Sequence, residues 1–393
     1  MTTANPVRRE RPADQDALVR AMAQAAAAGD TVAVIGGGTA LGYGFPAERR
    51  GIEIDSTRLD RVVSYAPGDL VVEVEAGITL AAIERLTAPD GLRLALDPPD
   101  PERATIGGAV AVNAFGPRRA RFGGLRDVVV GMSLVRADGT LVRGGGRVVK
   151  NVAGFDIPKL AIGSLGTLGA IATVTLRLHP LPVAAAAFAA ELPTLDAVLA
   201  LELALEAARL EPAATLATRG AGGGWTFVAL FEGFPAGVAE QLGRATEIVA
   251  SRGATAVEIH ARGALAADGR TRGAGDLRLH VAIPRASLGA LDAVLEPLAR
   301  ALEDERVVAY PSLGVAFVSA GANDPDAALA ALGAARAAAE TLGGTLVATA
   351  CGPLAGRFDP FGAPPPAFAL MRTLRARFDP DRRLNPGRFL GGL

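Results

Sequence analysis

The sequence predicts an α+β fold in two parts with a short C-terminal return, and three observations predict it. Up to Pro182, glycine-rich turns interrupt short β-branched runs. From Val183 to about Thr349 alanine dominates, and helical patterns alternate with short strands in the manner of helices packed on one antiparallel sheet. The proline-rich Phe358–Pro366 stretch then marks a boundary before a final helical pattern. The chain has 393 residues, and at about 150 residues per domain that length accommodates two or three domains. The divisions expected are 1–182, 183–357 and 358–393.

The first helix is expected over Ala13–Ala28, with Leu18, Val19 and Met22 on one face and Gly29-Asp30 as its stop. Thr31–Ile35 follows as a short buried strand and runs into the turn Gly36–Gly42. Strands are expected at Val62–Tyr65 and Leu70–Glu75, with a helix at Thr79–Leu86. Thr105–Ala111 reads as a second glycine turn opening into small residues. Val128–Arg136 and Thr140–Arg143 form a hairpin about Asp138-Gly139, and Ala170–Leu178 is a strand rich in Ile, Val and Thr. In the alanine-rich part the helices fall near Thr194–Leu210, Ala236–Ser251, Ser287–Leu302 and Pro325–Leu342. The strands there fall near Phe227–Phe231, Leu277–Ile283 and Gly314–Val318. A last helix is expected over Ala367–Phe378.

Half of the residues are hydrophobic and the formal net charge is −1. No overall field draws this chain to nucleic acid or to an anionic membrane. Its one cysteine, Cys351, rules out an intramolecular disulfide framework and a cysteine-ligated cluster within the chain, since each needs several thiols. A reducing compartment, the cytoplasm, is therefore expected. The segment MTTANPVRRERPADQD lacks the apolar core of a secretory signal. No apolar run of about 18 residues occurs, and even the Thr194–Leu210 helix carries Asp196, Glu202, Glu206 and Arg209.

The stretch Gly146–Pro182 concentrates the chemistry. Gly163, Gly166 and Gly169 lie three apart with Ser164 and Thr167 between them, so backbone amides and hydroxyls can approach an anion closely. Consecutive glycines in Gly36-Gly37-Gly38-Thr39 offer the same chance upstream. A tight turn or a glycine hinge accounts equally for either loop taken alone. Four segments in order carry more: GGGTALGYG (Gly36–Gly44), TIGGAVAVNAFGPRRARFGGLRD (Thr105–Asp127), KNVAGFDIPKLAIGSLGTLG (Lys150–Gly169) and FDPDRRLNPGRF (Phe378–Phe389). In these the chain resembles the FAD-binding family typified by vanillyl-alcohol oxidase, with a PCMH-type FAD-binding domain. Within that family it is similar to the FAD-binding E subunits of bacterial glycolate oxidases.

The resemblance implies a two-subdomain FAD-binding domain, an α+β cap with an antiparallel sheet, and a C-terminal helix returning to the FAD domain. It implies that Gly36, Gly37, Gly38 and Thr39 wrap the FAD pyrophosphate, and that Thr105, Ile106, Gly107, Gly108 and Asn113 flank the flavin or the pyrophosphate. Gly163, Gly166, Thr167 and Gly169, with Ile171 on the strand, would hold adenine and ribose. Lys150 and Asn151 would order their loop or touch the flavin, and Asn385 and Arg388 would return to its edge. Arg118, Arg119 and Arg121 could clamp a carboxylate through guanidinium forks, or could be ordinary surface arginines. Arg118, Lys150 and Arg388 are the candidates for a catalytic part. The partners implied are a second FAD-containing catalytic subunit, an iron–sulfur subunit and a small 2-hydroxy acid, with a cytoplasmic location, peripheral at the inner membrane through those subunits.

Oxidising a 2-hydroxy acid by flavin needs a base for the hydroxyl proton and a hydride acceptor. Catalytic relatives draw the base from a His-Gly motif in the cap, where this chain reads GGTLVATACGPLAG, Gly343–Gly356, without histidine. The three histidines, His179, His260 and His280, show no metal-ligand spacing, so no metal is expected. Neither Gly36–Gly44 nor Thr105–Arg121 contains a histidine for covalent linkage, and non-covalent FAD is expected. Two other readings stand beside the glycolate oxidase subunit. One is a self-sufficient FAD-dependent dehydrogenase of another hydroxy acid or alcohol, using Tyr43, Tyr65 or Lys150. The other is a flavin-free scaffold, against which the intact glycine turns speak.

Overall fold

The structure, a computed structural model, describes residues 8–46, 51–146, 155–220, 223–268 and 277–393. The chain divides into two compact units, one of residues 1–116, 123–181 and 363–393, the other of residues 117–122 and 182–362. Both combine helices with sheets, which is the α+β class expected. No helix among the described residues is long and apolar enough to cross a membrane.

The first unit opens with three parallel strands, β1 (Arg8–Glu10), β2 (Val32–Ile35) and β3 (Ile52–Asp55), in the order β1-β3-β2. Helix Gln15–Ala28 starts where Asp14 accepts the Ala17 amide at 2.7 Å, an N-cap that satisfies one orphan donor. It ends at Gly29, whose φ of 69° is the left-handed conformation of a C-cap. Its buried residues Leu18, Ala21, Met22 and Ala25 recur at helical spacing. They pack with Val32, Ile52, Ile54, Val135, Ala170 and Ala172 into one core.

A second sheet continues the unit: β4 (Val62–Ala66), β5 (Val71–Glu75), β7 (Val129–Val135), β8 (Leu141–Gly145) and β9 (Ala170–Arg177), antiparallel in the order β4-β5-β9-β7-β8. A small pair, β6 (Leu92–Arg93) with β10 (His179–Pro180), lies apart from it. The middle strand β9 is buried along nearly its whole length, which explains its unbroken apolar and β-branched composition. One core joins Val72, Val74, Met132, Leu134, Val174 and Leu176 of this sheet with Ile83, Ile106 and Val110 of the helices Leu80–Thr87 and Ile106–Val112. The expected Thr105–Ala111 turn is thus corrected: Thr105 is the N-cap of the seven-residue helix Ile106–Val112. Near the C-terminus, helix Phe368–Phe378 precedes a segment that extends the parallel sheet. There Val32 donates to the Arg383 carbonyl at 2.8 Å and accepts from the Asn385 amide at 2.9 Å.

The second unit is built on eight strands: β11 (Ala184–Leu192), β12 (Ala214–Arg219), β13 (Trp225–Gly233), β14 (Ala256–Ile259), β15 (Leu277–Ala282), β16 (Glu303–Tyr310), β17 (Val315–Gly321) and β18 (Thr345–Cys351). Their order is β14-β11-β13-β12-β16-β17-β15-β18, antiparallel throughout. Helices Leu195–Ala207, Pro235–Ser251, Leu291–Ala301 and Pro325–Thr341 share a core with Phe188, Trp225, Phe227, Phe231, Leu279 and Val318 of the sheet. The four helices fall where periodicity places them, although Ser287–Leu302 begins as a 3-10 turn, Arg285–Ala290. Five strands, β11, β12, β14, β16 and β18, have no counterpart in the sequence expectation.

Candidate functional site

Within the first unit, the turn after β2 approaches its neighbours as closely as backbone can. A Cβ added at Gly37 would fall 1.6 Å from the Arg103 carbonyl oxygen, and one at Gly36 would fall 2.2 Å from Thr105 Oγ1. Arg388 braces the turn from its carbonyl side. Its Nε donates to the Tyr43 carbonyl at 3.1 Å, and its Nη2 donates to the carbonyls of Ala40 and Leu41 at 3.3 and 2.7 Å. Among the described residues, nothing accepts from the amides of Gly37, Gly38 or Thr39. These residues are partly solvent-accessible. Unengaged amides on a side-chain-free turn are the donor set a pyrophosphate needs, so the residues present fit a dinucleotide phosphate.

The second glycine segment spends its donors on the protein. Ile106 donates to the Ile78 carbonyl at 2.9 Å, Gly107 to the Ala76 carbonyl at 2.8 Å, and Gly108 to Thr105 Oγ1 at 3.2 Å. The first-turn amides that could have faced a phosphate are occupied by main chain and cap. Asn113 ends this helix in the left-handed region, at φ 53°.

The closing loop is stitched to the same helix. Gly163 donates to the Val110 carbonyl and Leu165 to the Ala111 carbonyl, both at 2.9 Å. A Cβ at Gly163 would lie 3.5 Å from the Asn113 side chain. Thr167 turns its hydroxyl back onto the Ser164 carbonyl at 2.7 Å. Asn385 Nδ2 donates to the Leu165 carbonyl at 2.9 Å, and the buried Arg375 donates to the carbonyls of Thr167 and Leu384 while pairing with Asp379 at 3.1 Å. Gly169 packs against Leu134, and Ile171 is a core residue on β9. Thus Gly36, Gly37, Thr105, Asn113, Gly163 and Asn385 fall in one linked neighbourhood, together with Arg103, which the motif reading did not single out. Lys150 and Asn151 lie outside the described residues.

A cavity of about 650 Å³ opens elsewhere in this unit, lined by Gln15, Arg61, Glu73, Glu75, Ser133 and Thr173 among others. Glu75 is paired with Arg61 at 2.8 Å, and the Ser133 and Thr173 hydroxyls share a hydrogen bond at 2.6 Å. Its lining mixes the carboxylates of Glu73 and Glu75 with Arg61, Arg143 and the glycines Gly144–Gly146. Its nearest sequence signal was the apolar–charged alternation of Leu70–Glu75.

Several other candidates are engaged structurally. Arg118 pairs with Glu232 at 2.7 Å and Arg121 with Glu211 at 2.5 Å, both within the second unit. In the first unit, burial, reinforced by Arg177 and Arg93, holds the His179 imidazole below its usual pKa. Burial raises the Tyr43 phenol, and it likewise raises the Cys351 thiol against the pull of Arg336. The second unit holds a group the sequence concealed. Glu202 is buried on helix Leu195–Ala207, accepts the Thr215 hydroxyl at 3.2 Å, and is pushed up to about 7 by desolvation.

The chain is similar to known proteins over part of its sequence. Residues 8–145 match the family described as FAD binding domain. The chain is 37% identical over 138 residues to glycolate oxidase subunit GlcE of Escherichia coli, covering 35% of this chain and 39% of that protein. It is 35% identical over 156 residues to a D-lactate dehydrogenase of Anaerostipes hadrus, covering 39% of this chain and 31% of that one. A D-2-hydroxyglutarate dehydrogenase of Xanthomonas citri pv. viticola is 31% identical over 197 residues, covering 50% of this chain and 42% of that one. These matches span well under two thirds of the relatives' own length. Among solved structures, an alkyldihydroxyacetonephosphate synthase superposes with a TM-score of 0.74 at 16% identity, over 96% of this chain and 75% of that one. Residues 8–145 are therefore similar to FAD binding domains of the PCMH type, and the chain carries them in the α+β fold it shares with that synthase.

Proposed function

We propose that this chain is the FAD-binding subunit of a glycolate oxidase complex, taking part in the oxidation of glycolate or a similar 2-hydroxy acid to the 2-oxo acid. The observation that carries the reading is the glycine turn whose Gly37–Thr39 amides are unengaged among the described residues while Arg388 holds the carbonyls of Ala40, Leu41 and Tyr43. The match of residues 8–145 to the FAD binding domain family supports it, as does the likeness to GlcE. Bound FAD would supply the hydride acceptor. Gly37, Gly38 and Thr39 would donate to its pyrophosphate, while Arg388 and Asn385 keep the turn and the Leu165 loop in place. Linkage is non-covalent in this reading, since Gly36–Gly44 and Thr105–Arg121 contain no histidine. The electrons would pass to an iron–sulfur partner, and a second flavin subunit would complete the chemistry on substrate.

The likeness to D-lactate and D-2-hydroxyglutarate dehydrogenases favours a second reading, a self-sufficient flavin dehydrogenase. One purification distinguishes them. The chain expressed alone should be yellow after mild purification with FAD supplied, and acid precipitation should leave the flavin in the supernatant. Anaerobic glycolate or D-lactate should bleach it slowly or not at all unless partner chains are added. A colourless protein rejects the flavin reading, and rapid bleaching of the isolated chain favours the self-sufficient enzyme.

A further inference from the structure

The four long helices of the second unit share a core with one face of its sheet, and side-chain alternation sets the other face. On β15, Leu277, Leu279 and Val281 belong to the core shared with the helices; on β17, Ala316, Val318 and Ala320 do; on β16, Val307 and Ala309 do. The alternate residues Arg278 and His280, Phe317 and Ser319, and Arg306 and Val308 therefore project from the opposite face. The register aligns them. Arg278 is the direct cross-strand partner of Ser319, and Ser319 is the direct partner of Arg306. Three adjacent strands thus place arginine, serine and arginine in one row.

Among the described residues, that row lacks the counter-charges expected of it. Neighbouring strands lie about 4.8 Å apart, so the two arginine Cα atoms stand about 10 Å apart across Ser319, within reach of a common point for two long side chains. Ordinary cross-strand pairing would set a carboxylate opposite a guanidinium. Among the described residues, neither Arg278 nor Arg306 has an ion-pair partner. Arg278 is half-buried and Ser319 is 8% exposed. The adjacent row is aromatic: His280 stacks on Phe317 at 5.0 Å, and Tyr310 meets Phe317 edge-on at 5.3 Å while its hydroxyl donates to Asp268 at 2.8 Å.

We propose that Arg278, Ser319 and Arg306 form a binding site for the carboxylate of a small organic acid, with the His280–Phe317 stack as the wall beside it. Two guanidinium forks and a hydroxyl match the planar, two-oxygen geometry of a carboxylate. The site deepens the proposed function, because a 2-hydroxy acid carries such a group, and to that extent it rests on that reading. Its existence as an anion site does not depend on flavin.

Calorimetric titration of the full chain with oxalate, a carboxylate that cannot be oxidised as a hydroxy acid, tests the assignment. Wild type should bind oxalate. Arg278→Gln and Arg306→Gln should each weaken binding about tenfold or more, as expected for loss of a charge-assisted contact. Arg306→Lys, which keeps the charge without the fork, should recover part of the loss, and Arg300→Gln, remote from the row, should change nothing. Thermal midpoints and flavin absorbance of the same samples separate misfolding and FAD loss from loss of the anion site. If no sample retains FAD, the flavin reading falls while the oxalate titration still decides this one. Oxalate binding equal in wild type and both glutamine variants, absent from wild type, or weaker than that of inorganic phosphate would overturn the carboxylate assignment.

Discussion

Two glycine segments of the first unit look alike in sequence and differ in what their amides do. Among the described residues Gly36–Thr39 leaves the amides of Gly37, Gly38 and Thr39 unengaged, while Arg388 holds the carbonyls of Ala40, Leu41 and Tyr43 just after it. Thr105–Gly108 spends its amides on Ile78, Ala76 and the Thr105 hydroxyl. Glycine permits close approach in both cases, but only unspent donors bind an anion. In the proposed function the first segment serves as the ligand turn and the second as a packing device, in which Gly107 lets helix Ile106–Val112 lie against Ala76.

The sharpest way to break that contrast is Gly37→Val. Its Cβ would sit 1.6 Å from the Arg103 carbonyl oxygen, so the turn must move and its amides lose their alignment. FAD binding should be abolished, read as a colourless protein after gel filtration with excess FAD. If the variant stays yellow with wild-type affinity, the turn is not where the phosphates sit. Next in size is the response to the ligand itself. At FAD concentrations about 100 times Kd, linkage predicts about 2.7 kcal/mol of added stability, seen as a higher urea midpoint. The Gly37→Val chain should show no such gain. Arg388→Ala comes third. It removes three hydrogen bonds to the turn, and at about 1 kcal/mol each for those whose carbonyls water cannot serve as well, FAD should bind roughly 10–100-fold more weakly. Arg388→Lys should recover only part of this, because one ammonium cannot span the carbonyls of Tyr43, Ala40 and Leu41 as the fork does.

What was legible in the sequence follows from which interactions are local. The Asp138-Gly139 hairpin was legible because its chemistry lies within a few residues, down to the Thr140 amide on Asp138 Oδ1 at 2.9 Å. The four helices of the second unit were legible from their period. Strand β11, AAAAFAAEL, was not, because alanine favours helices and only its pairing with β13 on one side and β14 on the other makes it a strand. Glu202 passed for a solubilising charge, although its carboxylate is buried against Thr215. The site divided in the same way. Gly36–Thr39 could be named from composition, whereas the grip of Arg388 on Leu41 joins residues 347 apart. The row Arg278–Ser319–Arg306 exists only through the register of three strands.

The smallest expected effect tests the other half of the contrast. Thr105 caps its helix through the Gly108 amide at 3.2 Å and is itself 2% exposed. Thr105→Ala should cost about 1 kcal/mol of stability, the usual value of a lost N-cap, and the hydroxyl facing Gly36 would be lost with it. If Thr105 is a packing residue, FAD affinity should change no more than about threefold once the folded fraction is accounted for, since a shift under 1 kcal/mol is less than a factor of ten. Thr105→Ser should restore the cap and the stability together. A loss of FAD affinity on Thr105→Ala comparable to that of Arg388→Ala, with the urea midpoint unmoved, would put the Thr105 hydroxyl on the ligand and erase the distinction between the two glycine segments.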